Sequence, residues 1–549
     1  MQRRVFLSAM AAPALPAAPI QGKGITAKRG VVSANPARAA DIGARMLEAG
    51  GNAMDAAAAA CLAGCVLQPY STDIGGYVAS GVVLEARTGK IWSIDSNSVA
   101  TAAARPGMFE VLAMRSGAKD TNENEYGCSV RGDANVYGPL AVGVPGCLAG
   151  IGILSERWGK LKWARLLEPL QTAVSDGFPF GTIAAAVASR AKQIERFPAS
   201  KQHLMPAGRL PDAAEIWRRP GMEKTLARLS SAGWRDLYEG ELGRQIADHI
   251  QSMGGILSRK DMASFQPRVG EPHSLRLGSA AIHTAIVPNG GVSSLSAMAM
   301  LDKLPRREPG DPMYWHGMME VLKLVWRDRI QFLADGVAAE RFLSEAYIAE
   351  KVRTLLAKPG FVDSTPGPTP NPTSGTIHIS TADSEGNLVS ITISHGGAFG
   401  SCVTVPGTGI TLGHGMCRFD PHPGLPNSPG PGKRPLNNVC PSIMRLPERD
   451  IAVGLSGGRR IVSVQTTTCS HLLRGMTAQQ AVDAGRIHTE GYQPVEMSKA
   501  MPDAIVRELE RMGHKLKTAA NIGSSVNIAE RLKNGTLRGG CTGVCSGVG

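Results

Sequence analysis

The chain has no run of five or more consecutive lysines or arginines, although its formal net charge is +13. The positive excess is spread out, which favours anionic solutes in general and leaves no motif for a nucleic acid. No apolar stretch is long enough to span a bilayer. The ten cysteines match no zinc spacing, and no internal repeat divides the 549 residues. Charged residues make up 19% against 43% hydrophobic ones, a balance that argues against disorder and fits a globular enzyme. A chain of this length buries a large core, in several domains or in one large layered one.

What is present begins at the first residues. Arg3 and Arg4 precede Val5-Phe6-Leu7 and a small-residue apolar stretch to about Ala18. The pattern resembles a twin-arginine export signal, removed near Ala17 or Ala18, and places the mature protein in the periplasm or outside the cell. Pro13 and Pro16 interrupt the stretch, which is too short for a membrane span. Cys61 and Cys65 lie one helical turn apart in an alanine-rich segment, where core packing is their expected role. Cys541 and Cys545, in a glycine-rich tail, are the candidates for a local disulfide or a chance metal site.

Alternation and punctuation give the organisation. Gly30-Val31-Val32-Ser33-Ala34 reads as a strand ended by Pro36, and residues 37–66 read as helix interrupted at Gly50-Gly51-Asn52. Alanine at nearly every position after Asn52 implies close packing against a sheet or another helix. Residues 79–84 read as a strand, 150–265 as mainly helical, 280–286 as a strand and 313–334 as helix. Residues 358–375 hold five prolines and three glycines, so this segment is expected to be exposed and mobile, without helix or sheet interior. Beyond it the pattern turns β-rich.

Thr376 stands at that boundary. It opens the alternating run Thr376-Ile377-His378-Ile379-Ser380, and a second run, residues 387–394, follows Ser384-Glu385-Gly386. A three-residue loop ending in glycine suits a hairpin. A symmetric hairpin sets Thr376 opposite Ser394 and His378 opposite Thr392, so one face carries only polar side chains and the other only isoleucine and valine. The polar face either meets water or serves chemistry. A threonine between a flexible segment and a buried strand can cut its own chain, and its freed α-amine can then act as base for its hydroxyl.

Further blocks extend along the chain. They are Gly50-Gly51-Asn52-Ala53-Met54-Asp55-Ala56-Ala57, Val142-Gly143-Val144-Pro145-Gly146, Phe399-Gly400-Ser401 and Pro431-Gly432-Lys433-Arg434-Pro435. With the Thr376 run, this order resembles the γ-glutamyltransferase family of N-terminal-nucleophile hydrolases. The resemblance implies an α+β fold, a four-layer αββα sandwich. It implies a precursor that cleaves itself at Gly375–Thr376 into a large subunit (19–375) and a small subunit (376–549), which stay together as a heterodimer. By the same resemblance Thr376 is nucleophile and its amine general base. Ser394 matches the hydroxyl that hydrogen-bonds the nucleophile, where the family commonly has threonine. Gly457 and Gly458 match the pair whose N–H groups form the oxyanion hole. No metal or organic cofactor is implied, and the partner is a small-molecule amide.

The positions that would recognise a γ-glutamyl group depart from the family. Asn97 and Ser98 fall where it has arginine and glutamate, Arg418 where it has the aspartate that holds an α-ammonium, and Asn437 and Asn438 where it has paired serines. A guanidinium in place of a carboxylate repels an ammonium. The expected substrate is therefore non-glutamyl or anionic, and Arg459 and Arg460 either add to that positive field or are surface charges. Two other readings are a true γ-glutamyltransferase or glutathione hydrolase with an altered pocket, and an unprocessed relative that binds without catalysis.

Overall fold

A computed structural model describes residues 20–112, 126, 128–357, 375–491, 493–520 and 522–549. The export signal and the proline-rich segment 358–374 lie outside the described residues. Gly375, at the end of that segment, is buried at the start of a strand.

Two helices open the fold after the strand Gly30–Ala34, at Ala37–Glu48 and Ala53–Leu67. Asn52 caps the second, with its side chain accepting from Met54 and Asp55 while Asp55 returns a bond to Asn52 N–H. Every residue of this second helix is buried. Its alanines let it lie directly under the strand Gly375–Asp383. Thr381 Oγ1 donates to Ala53 O at 2.8 Å, and Asp383 accepts from Ala53 N–H at 2.9 Å.

Thirteen strands form one continuous antiparallel sheet. In order its first half is His273–Leu277, Ala280–Thr284, Ser442–Arg445, Arg449–Ser456 and Ser525–Leu532. The long strand Leu537–Val548 then links this half to Gly30–Ala34, Gly375–Asp383, Leu388–Gly396, Val78–Glu85, Lys90–Asn97 and Arg268–Gly270. The strand Ile20–Ala27 pairs alongside Leu537–Val548.

The two halves fold face to face. Ser390 Oγ donates to Val453 O at 2.9 Å and accepts from Ser442 N–H at 3.0 Å, and Ser380 Oγ donates to Asn527 O at 3.0 Å. Outside one half, Ile377, Ile379, Val389, Ile391 and Ile393 pack in one apolar cluster with the alanine-rich helix. Outside the other, Ile451, Val453, Leu455, Val526 and Ile528 pack with the helix Ile461–Leu473. The result is helix, sheet, sheet, helix: an α+β four-layer sandwich.

Two expectations need correction, and one element went unread. The polar face of the hairpin does not meet water: every residue of both strands is buried, the polar ones between the two halves of the sheet and the isoleucines and valine against the helices. The glycine-rich tail is no loose end. It is the strand Leu537–Val548, and Cys541 and Cys545 are buried free thiols that both donate to Lys23 O. A helix at Gly291–Lys303 went unread in the sequence, because it is buried on nearly all sides and shows no polar stripe.

Candidate active site

The hairpin register is the symmetric one. Thr376 pairs with Ser394, His378 with Thr392 and Ser380 with Ser390, and a bulge follows in which Gly375 pairs with Gly396. Gly386 takes φ 100°, the conformation its turn requires. A Cβ on Gly375 would overlap the carbonyl of Gly397, so the residue before Thr376 has to be glycine for the chain to pass there.

The hydrogen bonds around Ser394 assign their own direction. Gly396 N–H donates to Ser394 Oγ at 2.9 Å, and Ser394 Oγ donates to Gly375 O at 2.6 Å. A serine hydroxyl has one proton. That proton points at Gly375, so across the 2.9 Å contact between the two hydroxyls Thr376 is the donor. The chain of protons thus runs from Thr376 through Ser394 to the carbonyl oxygen of the Gly375–Thr376 peptide. Thr376 is 8% exposed and Ser394 1%.

His378 sits one pleat deeper. Its ring nitrogens contact Thr392 Oγ1 at 2.8 Å and Ser380 Oγ at 3.0 Å, while Asn527 Nδ2 donates to its carbonyl at 2.9 Å. Burial holds the ring down to about 3, so it is neutral. The unfolded chain binds this proton near pH 6.5 and the folded chain does not. The stability contributed by His378 is therefore complete above pH 6.5 and is lost as pH falls toward 3, at up to about 1.4 kcal/mol per pH unit. Thermal melts at pH 7 and pH 5 should show His378→Gln losing less stability on acidification than the natural protein; parallel losses would contradict this assignment.

The facing strand Arg449–Ser456 brings the glycine pair. Gly454 lies against the His378 ring, so closely that a Cβ there would overlap it. Ser390 meets Val453, and the hairpin runs on from Ser390 to Ser394 as the facing strand runs on to Ser456. The turn at Gly457 and Gly458 thereby follows toward the Thr376 end. Their φ angles of 157° and 59° favour glycine at both positions.

The recognition positions divide. Thr376, Ser394, Val78 and Asn97 form one row across four neighbouring strands. Asn97 Nδ2 donates to Pro435 O at 2.6 Å, and its Oδ1 has no hydrogen-bond partner among the described residues. Ser98 packs against Gly143 and Gly415, next to the 3-10 turn Gly415–Arg418. The Arg418 guanidinium lies beside Gly396, across from Gly375, with its carbon 5.8 Å from the centre of the Tyr77 ring. The side-chain oxygen of Asn437 accepts from Val439 N–H, and its Nδ2 has no partner among the described residues. Asn438 differs: its Oδ1 accepts from Arg329 at 2.8 Å, which commits it to the scaffold.

Arg459 and Arg460 form neither a free positive field nor a surface. Both are buried. Arg459 pairs with Glu490, and Arg460 holds both oxygens of Glu496 at 2.7 and 3.0 Å. Each charge is cancelled locally, and together they anchor the turn that follows the glycine pair. Asn527, which also accepts from Ser33 Oγ at 3.1 Å, was missed in the sequence. Nothing local marks it, since its role arises only where the two halves of the sheet meet.

The Thr376–Ser394–Gly375 hydroxyl relay is an arrangement that can serve acyl transfer, and His378 braces the strand beneath it through Thr392 and Ser380. Among the described residues no helix is long and apolar enough to cross a membrane. The family model described as gamma-glutamyltranspeptidase matches residues 39–544. The chain is 31% identical to the acylase ACY 1 proenzyme of Pseudomonas sp. (strain SE83), over 94% of this chain and 92% of that protein. It is 28% identical to the glutathione hydrolase proenzyme of Bacillus subtilis (strain 168), over 93% and 89%. Among solved structures, cephalosporin acylase from Bacillus halodurans superposes with a TM-score of 0.81 at 25% identity, over 98% of this chain and 97% of that one.

Proposed function

Because the chain belongs to the γ-glutamyltranspeptidase family of N-terminal-nucleophile enzymes, we propose that it is a self-processing threonine amidohydrolase or acyltransferase whose acyl group is anionic rather than γ-glutamyl. The single observation that carries the processing step is the pair of bonds from Ser394 to Gly375 O and from Thr376 to Ser394. Thr376 Oγ attacks the Gly375 carbonyl carbon. Its proton passes to Ser394, and the Ser394 proton passes to the developing oxyanion. Collapse of the adduct re-forms the carbonyl, delivers the hydroxyl proton to the Thr376 nitrogen, breaks the Gly375–Thr376 C–N bond and leaves an ester, which water hydrolyses to the Gly375 carboxylate and the free Thr376 hydroxyl. The chain then consists of residues 19–375 and 376–549, held together as a heterodimer by the shared sheet.

A terminal α-amine ordinarily titrates at about 7.7–8.0, unlike a lysine, so the amine released at Thr376 suits the role of base near neutrality. In turnover it takes the Thr376 hydroxyl proton as Oγ attacks the substrate amide. The N–H groups of Gly457 and Gly458 receive the oxyanion, and an amine leaves with the proton. Water or an acceptor amine then releases the acyl group.

Arg418 supports the anionic reading. A guanidinium beside Gly396 attracts a carboxylate next to the scissile carbonyl and repels the ammonium of a γ-glutamyl group. The acylase relative supports an acyl group other than γ-glutamyl, and the glutathione hydrolase relative keeps γ-glutamyl transfer as the second reading. An amidase screen with substrates that differ only in charge beside the scissile carbonyl tests the assignment. Dicarboxylate monoamides are expected to be cleaved in preference to γ-glutamyl anilide. Arg418→Ala should lower kcat/KM for the anionic amide by about 10- to 100-fold and leave a neutral analogue within a few-fold. Preference for the glutamyl compound in the natural protein would overturn it.

A further inference from the structure

The outer helical layer carries a cluster that the amide chemistry does not use. The helix Pro312–Phe332 presents His316 and Glu320 four residues apart, on one face. The segment after the helix Asp503–Arg511 brings His514 against them, with His316 Nδ1 and His514 Nε2 2.9 Å apart. One donor atom from each of the three residues lies within 4.8 Å of the others. Glu320 and His514 are each 3% exposed. Lys323, fully buried one turn along the helix, donates to Glu320 Oε1 at 2.7 Å.

His316 and Glu320 also line a cavity of about 710 Å³, whose walls include Met298, Tyr314, Leu355 and Leu446. Thr376, Ser394, Gly457 and Gly458 do not line it. The cluster is therefore a separate place in the fold.

We propose that His316 Nδ1, His514 Nε2 and Glu320 bind one divalent transition-metal ion, zinc foremost, with its remaining coordination open to this cavity. Two imidazoles and one carboxylate, with a position left over, form a recurring zinc donor set. Metal binding needs neutral imidazoles, and two histidine nitrogens already face each other here. At zinc–nitrogen distances of about 2.0–2.1 Å the two nitrogens of a tetrahedral site stand about 3.3 Å apart. The rings need to part by a few tenths of an ångström, and the ion replaces the bond between them. Lys323 holds the Glu320 carboxylate through Oε1, as an outer-shell partner does, and the carboxylate supplies one oxygen to the ion. The nearby ammonium opposes any cation, so only an ion with strong affinity for imidazole suits the site. Magnesium and calcium, which require many oxygens, do not.

Untagged, chelator-treated full-length protein titrated with zinc chloride tests this by calorimetry and thermal melting. One zinc per chain, with a rise in Tm that magnesium does not produce, is expected. His316→Ala and His514→Ala should each weaken binding about 100-fold or more and remove the rise in Tm, while a denaturing gel shows subunit processing unchanged. Cobalt in the natural protein should give the intense visible bands of a four-coordinate site, a readout independent of whether the variants fold. Absence of stoichiometric zinc, weak octahedral cobalt bands, or zinc binding undiminished in both variants would overturn the proposal.

Discussion

Thr376→Ala should leave one uncut chain on a denaturing gel and reduce amide cleavage by a factor on the order of 10⁴ or more. The substitution removes the oxygen that the Ser394 relay links to the Gly375 carbonyl. It also prevents the later chemistry, because no terminal amine is released to serve as base. The fold should survive. Thr376 contributes one hydroxyl bond to a strand held on both sides by antiparallel partners, a loss of about 1 kcal/mol. Thr376→Ser retains the oxygen and should still process. An alanine variant that matures into two bands would place the nucleophile elsewhere.

Ser394→Ala should slow processing about 10²- to 10³-fold while leaving the nucleophile in place. The hydroxyl does three things at once: it accepts from Thr376, accepts from Gly396 N–H and donates to the scissile carbonyl. Alanine leaves the carbonyl unpolarised and the Gly396 N–H buried without its acceptor, which costs about 1–3 kcal/mol of stability. Ser394→Thr keeps the oxygen and should recover most of the rate, as followed by the appearance of the small subunit over time after synthesis. Equal rates for the alanine and threonine variants would remove Ser394 from the relay.

The hairpin was legible because its information is local. Alternation along residues 376–394 and Gly386 at the turn fix which residues oppose one another, and the isoleucines fix which face meets the helices. The burial of the polar face was not legible. It depends on Val453, Asn527 and Ser442, which lie 52 to 147 residues from their partners in sequence. The same limit hid the partners of Arg459 and Arg460, since Glu490 and Glu496 reach them only through the return of the chain after the helix Ile461–Leu473. The alanine-rich helix could be read as closely packed, but not as the floor beneath the nucleophile strand. The positions expected to recognise substrate were harder still: Asn97 and Asn437 keep side-chain atoms without partners among the described residues, whereas Asn438 is taken up by Arg329. One sequence pattern covers both outcomes, and only the packing separates them.

The most direct measurement is the intact mass of the matured protein, combined with N-terminal sequencing of its smaller component. Two chains, the smaller starting at Thr376, are the result that self-cleavage through the Ser394 relay requires. A single covalent chain running through the Gly375–Thr376 bond in fully folded protein would contradict it.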